Sequence, residues 1–536
     1  MEMSLNKVFG QLKMFVRSRA VCSFLFLLLL SGSVIPAMAQ KVSPVLEIPT
    51  ATLGDLDGDG LKDASVETRF LSIIISSRTG SPGVYYLKGS NFEENLLPPV
   101  IHDLGYKVAS EAIRPFSIEI RRQPIQPSGY TIEIEEKTAE KIVIRATANV
   151  SLADAEAEMS PGLSLVKRYT FNHNSYHFSL ECVVTNLKEK LVSVGDENTG
   201  GLSLQFGPGI FMDPFGPSTM LALKPGAAET FSDVQALTKA GAVAGAYNGI
   251  GLRDQYFCVI LESSEMIRIS ALSYEFAAED TKRKNFPGHL ISCTIPTFNL
   301  GARESRTFGF KAYAGPMLLD QLQKINLGHV SEYGFLSTIL LRILQFFYAM
   351  FPNYGLAIIL LTIVVRAALY PLTLKQTKSM AQMQKIQPKV QDLKDRYKDN
   401  PQKFNEEVLK LYQKNNVNPL GGCLPLLLQL PILIALYNTI RIAVELRKTP
   451  FLWIADLSKG DPLLILPIAI AALMYYQQGK MTDPSQQQMM AFMPMFMFVI
   501  TWSLPAGLLV YWFASSIIGL LQQFQANRMA AALKEE

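Results

Sequence analysis

The sequence predicts an α-helical polytopic membrane core joined to a large exported all-β sandwich domain and a cytoplasmic helical hairpin. Three observations predict it. Only 18% of the 536 residues are charged, below the roughly 25% of soluble domains. The long apolar runs, one N-terminal run apart, all follow residue 330, whereas all five histidines (His102, His173, His177, His289 and His329) precede it. The stretch between is dense in period-2 alternation, the pattern of half-buried strands. A net charge of +4 gives no argument for a nucleic-acid partner, and five cysteines cannot staple a chain of this length.

Residues 1–39 come first. Lys7, Lys13, Arg17 and Arg19 precede an apolar run from Ala20 to Leu30, and Ala37-Met38-Ala39 follows. A basic region, an apolar core and a small-x-small ending are the parts of a secretory signal peptide, with cleavage after Ala39 the favoured expectation. The same segment is long enough to serve as an uncleaved signal anchor. Either way the following domain is exported. Cys182, Cys258 and Cys293 then lie in an oxidising space, and their odd number leaves at least one without an intramolecular partner. Buried thiols are the simpler expectation.

Residues 43–325 form the exported domain. Thr131–Glu135, Ile142–Ala146, Leu163–Phe171 and Tyr176–Val184 alternate apolar and polar, and Gly/Pro-rich breaks separate such stretches. This argues for an antiparallel β-sandwich. Asp55, Asp57, Asp59 and Asp63, with Gly60 between, match the first part of a calcium loop, where alternate side chains converge on a hard cation. The twelfth position is Val66 rather than an acid, so a solvated Asx turn is the better expectation and calcium the weaker one. His173 and His177 stand four apart among aromatics, as packed or surface residues do. No nucleophile elbow, paired Cys-x-x-Cys or phosphate loop points to an enzyme or a cofactor.

The membrane half opens with residues 335–351, apolar but interrupted by Arg342 and Gln345, as in a helix lying in the membrane interface. Transmembrane segments are expected at 354–374, 420–443, 462–476, 489–504 and 508–524, followed by a cytoplasmic tail, 525–536. Several are short, which implies a locally thinned bilayer or shelter among neighbours. Residues 375–419 hold ten Lys/Arg against five acids, which places this loop in the cytoplasm. It reads as a helical hairpin broken at Asp399-Asn400-Pro401. Its basic face is either merely solvated or a docking surface for anionic lipid or a ribosome.

Arg366 is the most informative residue. It lies about nine residues, ~13 Å, from the cytoplasmic end of its span, where an arginine in lipid costs ~3 kcal/mol or more. No acid or histidine lies in any expected span. Thr362, Arg366, Tyr370 and Thr373 share one helical face. Gln429 in the next span, and Trp512, Ser515, Ser516, Gly519 and Gln522 in the last, supply facing polar or small groups. Together they predict a water-accessible groove with a positive charge; the alternative is an arginine that snorkels to the headgroups. Met489, Met493 and Met497 lie in a methionine-rich stretch that serves either as core filler or as a soft slide for apolar clients.

These residues carry a resemblance. Asn353–Arg366, Tyr370–Leu374, Met380–Pro388, Asn418–Pro425, Gln429–Ile432, Leu504–Gly507 and Tyr511-Trp512 are similar to the YidC-type membrane protein insertases. Gly251–Phe257 and Gly309–Gly315 more loosely resemble that family's periplasmic domain. The resemblance implies an inner-membrane protein whose clients are nascent membrane proteins, acting alone or with the Sec translocon. It implies a client groove at Arg366, Thr362, Gln429 and Tyr511 or Trp512, to which the shared helical faces add Tyr370 and Ser515. The rival is a polytopic solute transporter or channel with an exported sensor domain, which calls for inverted repeats and a midplane ionisable network.

Overall fold

The computed structural model describes residues 48–88, 94–95, 116–120, 123–124, 129–150, 162–195, 200–207, 219–241, 247–276, 286–331, 333–398, 400–415, 424–478 and 493–532, apart from 57 and 59. The chain divides into two compact units, one within residues 39–332 and the other within residues 333–536. Residues 1–39, Asp57, Asp59 and Met489 lie outside the described residues.

The first unit is almost wholly β. Strands β1 (Thr50–Gly54), β2 (Asp63–Glu67), β3 (Leu71–Ser76), β4 (Ser81–Leu87) and β5 (Glu94–Asn95) form an antiparallel sheet in chain order. Then come β6 (Ser117–Ile120), β7 (Gln123–Pro124), β8 (Thr131–Lys137), β9 (Lys141–Val150), β10 (Leu163–Asn172) and β11 (His177–Asn186). They are followed by β12 (Val192–Val194), β13 (Leu202–Phe206), β14 (Thr219–Lys224), β15 (Ala227–Phe231) and helix α1 (Val234–Gly241). The last strands are β16 (Tyr247–Arg253), β17 (Phe257–Phe276), β18 (Phe286–Thr294), β19 (Phe298–Leu300) and β20 (Ser305–Pro316).

Thirteen of these strands join one hydrogen-bonded sheet in the order β7-β6-β13-β18-β17-β20-β11-β10-β9-β8, with β16, β14 and β15 branching from β17. The long β17 is the turning point. Its Phe257–Ser263 segment pairs with β20 and its Arg268–Phe276 segment with β18. Strand β10 shows why this sequence makes such strands: Leu163, Leu165, Tyr169 and Phe171 point inward and are buried. Between them, Arg168 points outward and spans its neighbours, donating to Glu135 at 2.7 and 3.1 Å and to Glu181 at 3.0 Å. Those hydrogen bonds hold the Glu135 carboxyl below its usual range.

Lys167 breaks the apolar rhythm of the inward face. It is fully buried, and its Nζ donates to Ser81 Oγ at 2.8 Å, Thr79 O at 3.2 Å and Phe116 O at 3.4 Å. The Tyr130 ring centroid lies 5.1 Å away. No carboxylate pairs with it among the described residues, so two carbonyls, a hydroxyl and an aromatic face replace its water. The β3–β4 turn is thereby fastened to the main sheet, and Tyr169 adds a hydroxyl bond to Gly80 O at 2.9 Å. Gly80 has φ +56°, and a Cβ there would stand 2.6 Å from the Tyr130 ring. Cys182, opposite Lys167 on β11, is a buried free thiol whose burial pushes its pKa up to about 12. Cys258 and Cys293 are likewise buried and free.

The aspartate-rich loop spends its described carboxylates locally. Asp55 accepts from Gly58 N at 2.7 Å and Gly60 N at 3.0 Å. The buried Asp63 accepts from Leu56 N, Ser77 N and Ser77 Oγ at 3.2, 2.7 and 2.9 Å. These bonds close an Asx-type turn and tie it to the end of β3. Farther along, Arg253 Nη1 donates to Val330 O at 2.9 Å, holding the segment that contains helix α2 (Leu319–Lys324) to the end of β16.

The second unit is helical: α3 (Phe335–Met350), α4 (Tyr354–Arg396), α5 (Pro401–Lys414), α6 (Leu424–Ile442), α7 (Ile465–Gln478), α8 (Met493–Trp502) and α9 (Ala506–Ala532). Two expected boundaries are not breaks. The residue 374/375 junction lies inside the 43-residue α4, and the 524/525 junction lies inside α9. Lys, Gln, Met and Arg are good helix formers, so the helix continues where the apolar run stops. Pro371 and Pro388 sit within α4 without ending it. Tyr354–Leu374 is long and apolar enough to cross a bilayer, whereas α3, α7 and α8 are shorter apolar helices. Asn353 caps α4 through Leu356 N at 3.0 Å, and Asn400 caps α5 through Lys403 N at 3.1 Å, with Pro401 at its first position.

Helix α3 buries Ser337, Leu340, Leu341 and Leu344 on one face. Ser337 Oγ donates to Ala435 O at 3.0 Å, and Thr439 Oγ1 to Ser337 O at 3.2 Å, fixing α3 against α6. The segment between α6 and α7 forms a cap on the helix ends. Asp461 accepts from Trp453 Nε1 at 2.9 Å and from Leu466 N at 2.7 Å, while Leu457 O accepts from Gly507 N at 2.9 Å. Phe451 lies on the first turn of α4, where a Cβ at Gly355 would fall 2.1 Å from its ring.

Gly355→Ala must therefore expel a packed ring. The expected cost is about 1–3 kcal/mol, read as a lowered unfolding midpoint of the whole chain in detergent; an unchanged midpoint would show that the ring is free to move. For Lys167, desolvation by burial lowers the ammonium pKa to about 8 from its usual 10.5. The unfolded chain thus holds a proton that the folded chain releases between those values, so stability rises with pH across that window. Measured against Lys167→Met, wild-type stability should gain about 2 kcal/mol between pH 7.5 and 9.5. A pH-independent difference would contradict the assignment.

Candidate functional site

Burial along α4 locates the site. Tyr354, Ala357, Ile358, Ile359, Leu361 and Thr362 are buried, with Thr362 at 0% exposure; residues 363–369 are half-buried or exposed, and Tyr370 is buried again. The closed end is apolar: Leu436 and Ile440 of α6 and Leu508 and Leu509 of α9 are buried. Gly507 lets these helices converge, since a Cβ there would meet Leu457 O at 3.2 Å and Ile358 and Ile440 side chains at 3.3 Å. Arg366 stands one turn past this plug and is half-buried.

Helices α4 and α9 pack along each other at this level. Arg366 Nε donates to Ser515 Oγ at 2.8 Å. Four residues on, Gly519 leaves room for the guanidinium: a Cβ there would meet Nη2, Cζ and Nη1 at 3.5, 3.6 and 3.6 Å. Three residues farther, Gln522 Nε2 approaches the Arg366 backbone oxygen at 3.5 Å. Ser515, Gly519 and Gln522 follow the i, i+4, i+7 spacing of one helical face. Pro371 lacks the N–H that would bond Ala367 O, one residue beyond the carbonyl that Gln522 meets. Ser515 and Gln522 are both buried, at 2% exposure.

One turn before Ser515, the buried Tyr511 hydroxyl accepts from Gln429 Nε2 of α6. This bond links α6 and α9 beside the arginine. Among the described residues, Ser515 is the only hydrogen-bond partner of the Arg366 guanidinium, and no carboxylate forms an ion pair with it. The site is thus a cation held, among the described residues, by neutral groups one turn past the apolar plug.

Not every expected residue joins it in the same way. The Thr362 hydroxyl turns back to Ile358 O at 2.7 Å, within its own helix, so it lines the plug rather than offering a free polar group. Tyr370 is buried at 6% exposure, and Trp512 is half-buried on α9. The methionine stretch stands apart. Helix α8, carrying Met493 and Met497, packs against α7, which in turn packs against α9. Its exposed side chains include Met493, Met495, Phe496, Val499 and Trp502, so the face is mixed apolar and aromatic rather than a methionine row. No group of three or more His, Cys, Asp or Glu side chains able to hold a metal occurs among the described residues. Gly519 and Gln522 are contacts that α9 spacing brought into view only as a facing surface; their exact engagement with Arg366 depends on how closely α4 approaches.

Comparisons with known proteins agree with this architecture. The family described as 60Kd inner membrane protein matches residues 346–533, and the one described as YidC periplasmic domain matches residues 134–346. Membrane protein insertase YidC of Geobacter sulfurreducens is 34% identical over 384 residues, covering 68% of this chain and 69% of that protein. Its namesake from Haemophilus influenzae is 45% identical over 239 residues, which span 42% of this chain and 44% of that protein. Among solved structures, an active YidC insertase with its first transmembrane domain resolved covers 89% of this chain and 94% of that chain, at 20% identity and a TM-score of 0.38. On the sequence relatives and the two family matches, the chain belongs to the YidC family of membrane protein insertases, inner-membrane proteins with a periplasmic domain.

Proposed function

We propose that this chain inserts nascent membrane proteins by admitting a client's short polar tail into the groove around Arg366 and releasing its apolar segment sideways into lipid, alone or beside the Sec translocon. The observation that carries this reading is a guanidinium held by a neutral serine, with no acid in reach among the described residues, one turn past the apolar plug of α4. A permanent internal ion pair would spend the charge. An unpaired one keeps it for an anionic tail that arrives from outside the protein.

The step lowers two costs. Polar groups leaving water for hydrocarbon cost several kcal/mol each, so a hydrated groove lets the tail travel part of the way wet. The short apolar runs at 462–476 and 489–504 favour a thinned bilayer, which shortens what remains. Burial of the client's own apolar segment then drives its exit, and the mixed apolar face of α8 suits varied side chains. No bond is made or broken, and no nucleotide is required.

The basic hairpin fits a supporting role. Because α4 continues from Arg366 into α5's partner helix without a break, anything docked on the hairpin is mechanically joined to the groove. Lys389, Arg396, Lys410 and Lys414 share a cleft there with Asp392 and Glu407, and Lys410 is held by Glu406 and Glu407. We assign this surface to a ribosome or to anionic headgroups. Among the described residues, the solute-transporter reading has no ionisable network to support it.

The test is insertion into proteoliposomes of two single-span clients that differ only in whether the exported tail carries carboxylates. Arg366→Ala should lower insertion of the acidic client about fivefold relative to the neutral one, the ~1 kcal/mol of two unit charges at 4 Å in water-like surroundings. Equal losses for both clients would contradict electrostatic capture.

A further inference from the structure

Building on this reading, we infer that Ser515 and Gly519 form a seat that orients the Arg366 guanidinium for two-point binding of a client carboxylate. A Cβ at Gly519 would stand 3.5, 3.6 and 3.6 Å from Nη2, Cζ and Nη1, three nearly equal distances. A planar group equidistant from one point at three of its atoms presents its flat face to that point. Gly519 therefore faces one side of the guanidinium across a gap that a methyl group would fill. Ser515, one turn earlier on the same helix, takes Nε at 2.8 Å and so fixes rotation within the plane.

Together the two contacts consume one face and one edge. The remaining edge, with an N–H from each of Nη1 and Nη2, is the fork that matches the two oxygens of a carboxylate. A lysine on the same helix would have no plane to lay against Gly519 and no second donor at fixed spacing. The seat thus makes the groove selective for aspartate- and glutamate-bearing tails over an equal negative charge without paired oxygens in that geometry. Ser515 and Gly519 are positioning residues: they act through Arg366.

The experiment uses the same pair of clients and the full chain in proteoliposomes, scoring the ratio of acidic to neutral insertion. Ser515→Ala and Gly519→Leu, the latter driving a branched side chain into the guanidinium, should each lower this ratio toward that of Arg366→Ala. Neither should change it further in the Arg366→Ala background. A merely structural role would reduce both clients in proportion and leave the ratio where it was, which would overturn the seat while leaving the groove standing. If Arg366→Ala itself leaves the ratio unchanged, electrostatic capture fails and the seat falls with it. A client-free reading separates these cases: exchange of the Arg366 Nε–H, followed by NMR on arginine-labelled protein, should accelerate in Ser515→Ala, and an unchanged rate would overturn the seat.

Discussion

The helical unit is organised around a cation set one turn past an apolar plug and held, among the described residues, by neutral groups alone. An arginine in hydrocarbon is costly, so every contact around Arg366 has to make the position tolerable without cancelling the charge. Ser515 takes one donor, Gly519 lets the guanidinium lie flat, and Gln522 meets the adjoining backbone oxygen. Below them, the plug of Ile358, Leu361, Ile440 and Leu509 closes the bundle, and Gly507 permits the helices to meet there.

The exported unit solves a related problem in the opposite way. Lys167 is a buried cation without a described acid partner, but its ammonium is fully engaged by Ser81, Thr79 and Phe116 and faced by Tyr130. That satisfaction makes it a fastener between two sheets rather than a binding group. Arg366 keeps two nitrogens free of protein partners among the described residues, and this is the physical difference between a structural and a functional buried charge. The comparison also explains why burial depth alone does not identify a site: Lys167 is the more deeply buried of the two.

Much of this was legible in the sequence because it rests on periodicity and charge. The alternation from Leu163 to Phe171 corresponds to β10, and Asn400-Pro401 marks the start of α5. The isolation of Arg366 among apolar residues singled it out, and helical spacing put Ser515, Gly519 and Gln522, which stand beside it, on one face. Three things were not legible. That α4 and α9 run on as helices past 374 and 524 is not marked by apolar composition, which ends there; good helix formers carry both onward. Thr362 looked like a groove residue, yet a threonine hydroxyl in a helix has its own i−4 carbonyl within reach and takes it. The fastening role of Lys167 depends on Thr79, Ser81 and Phe116, which lie 51 to 88 residues away in sequence, and no local pattern announces contacts of that range.

The central claim is that a client passes beside Arg366 between α4, α6 and α9, and site-specific photo-crosslinking tests it most directly. A photoreactive residue at 366, 429 or 512 should capture a ribosome-stalled single-span client during insertion. The same probe at Leu361, fully buried in the apolar plug, should capture little. Insertion that proceeds normally without crosslinks from 366, 429 and 512 would place the client's route elsewhere and contradict the account.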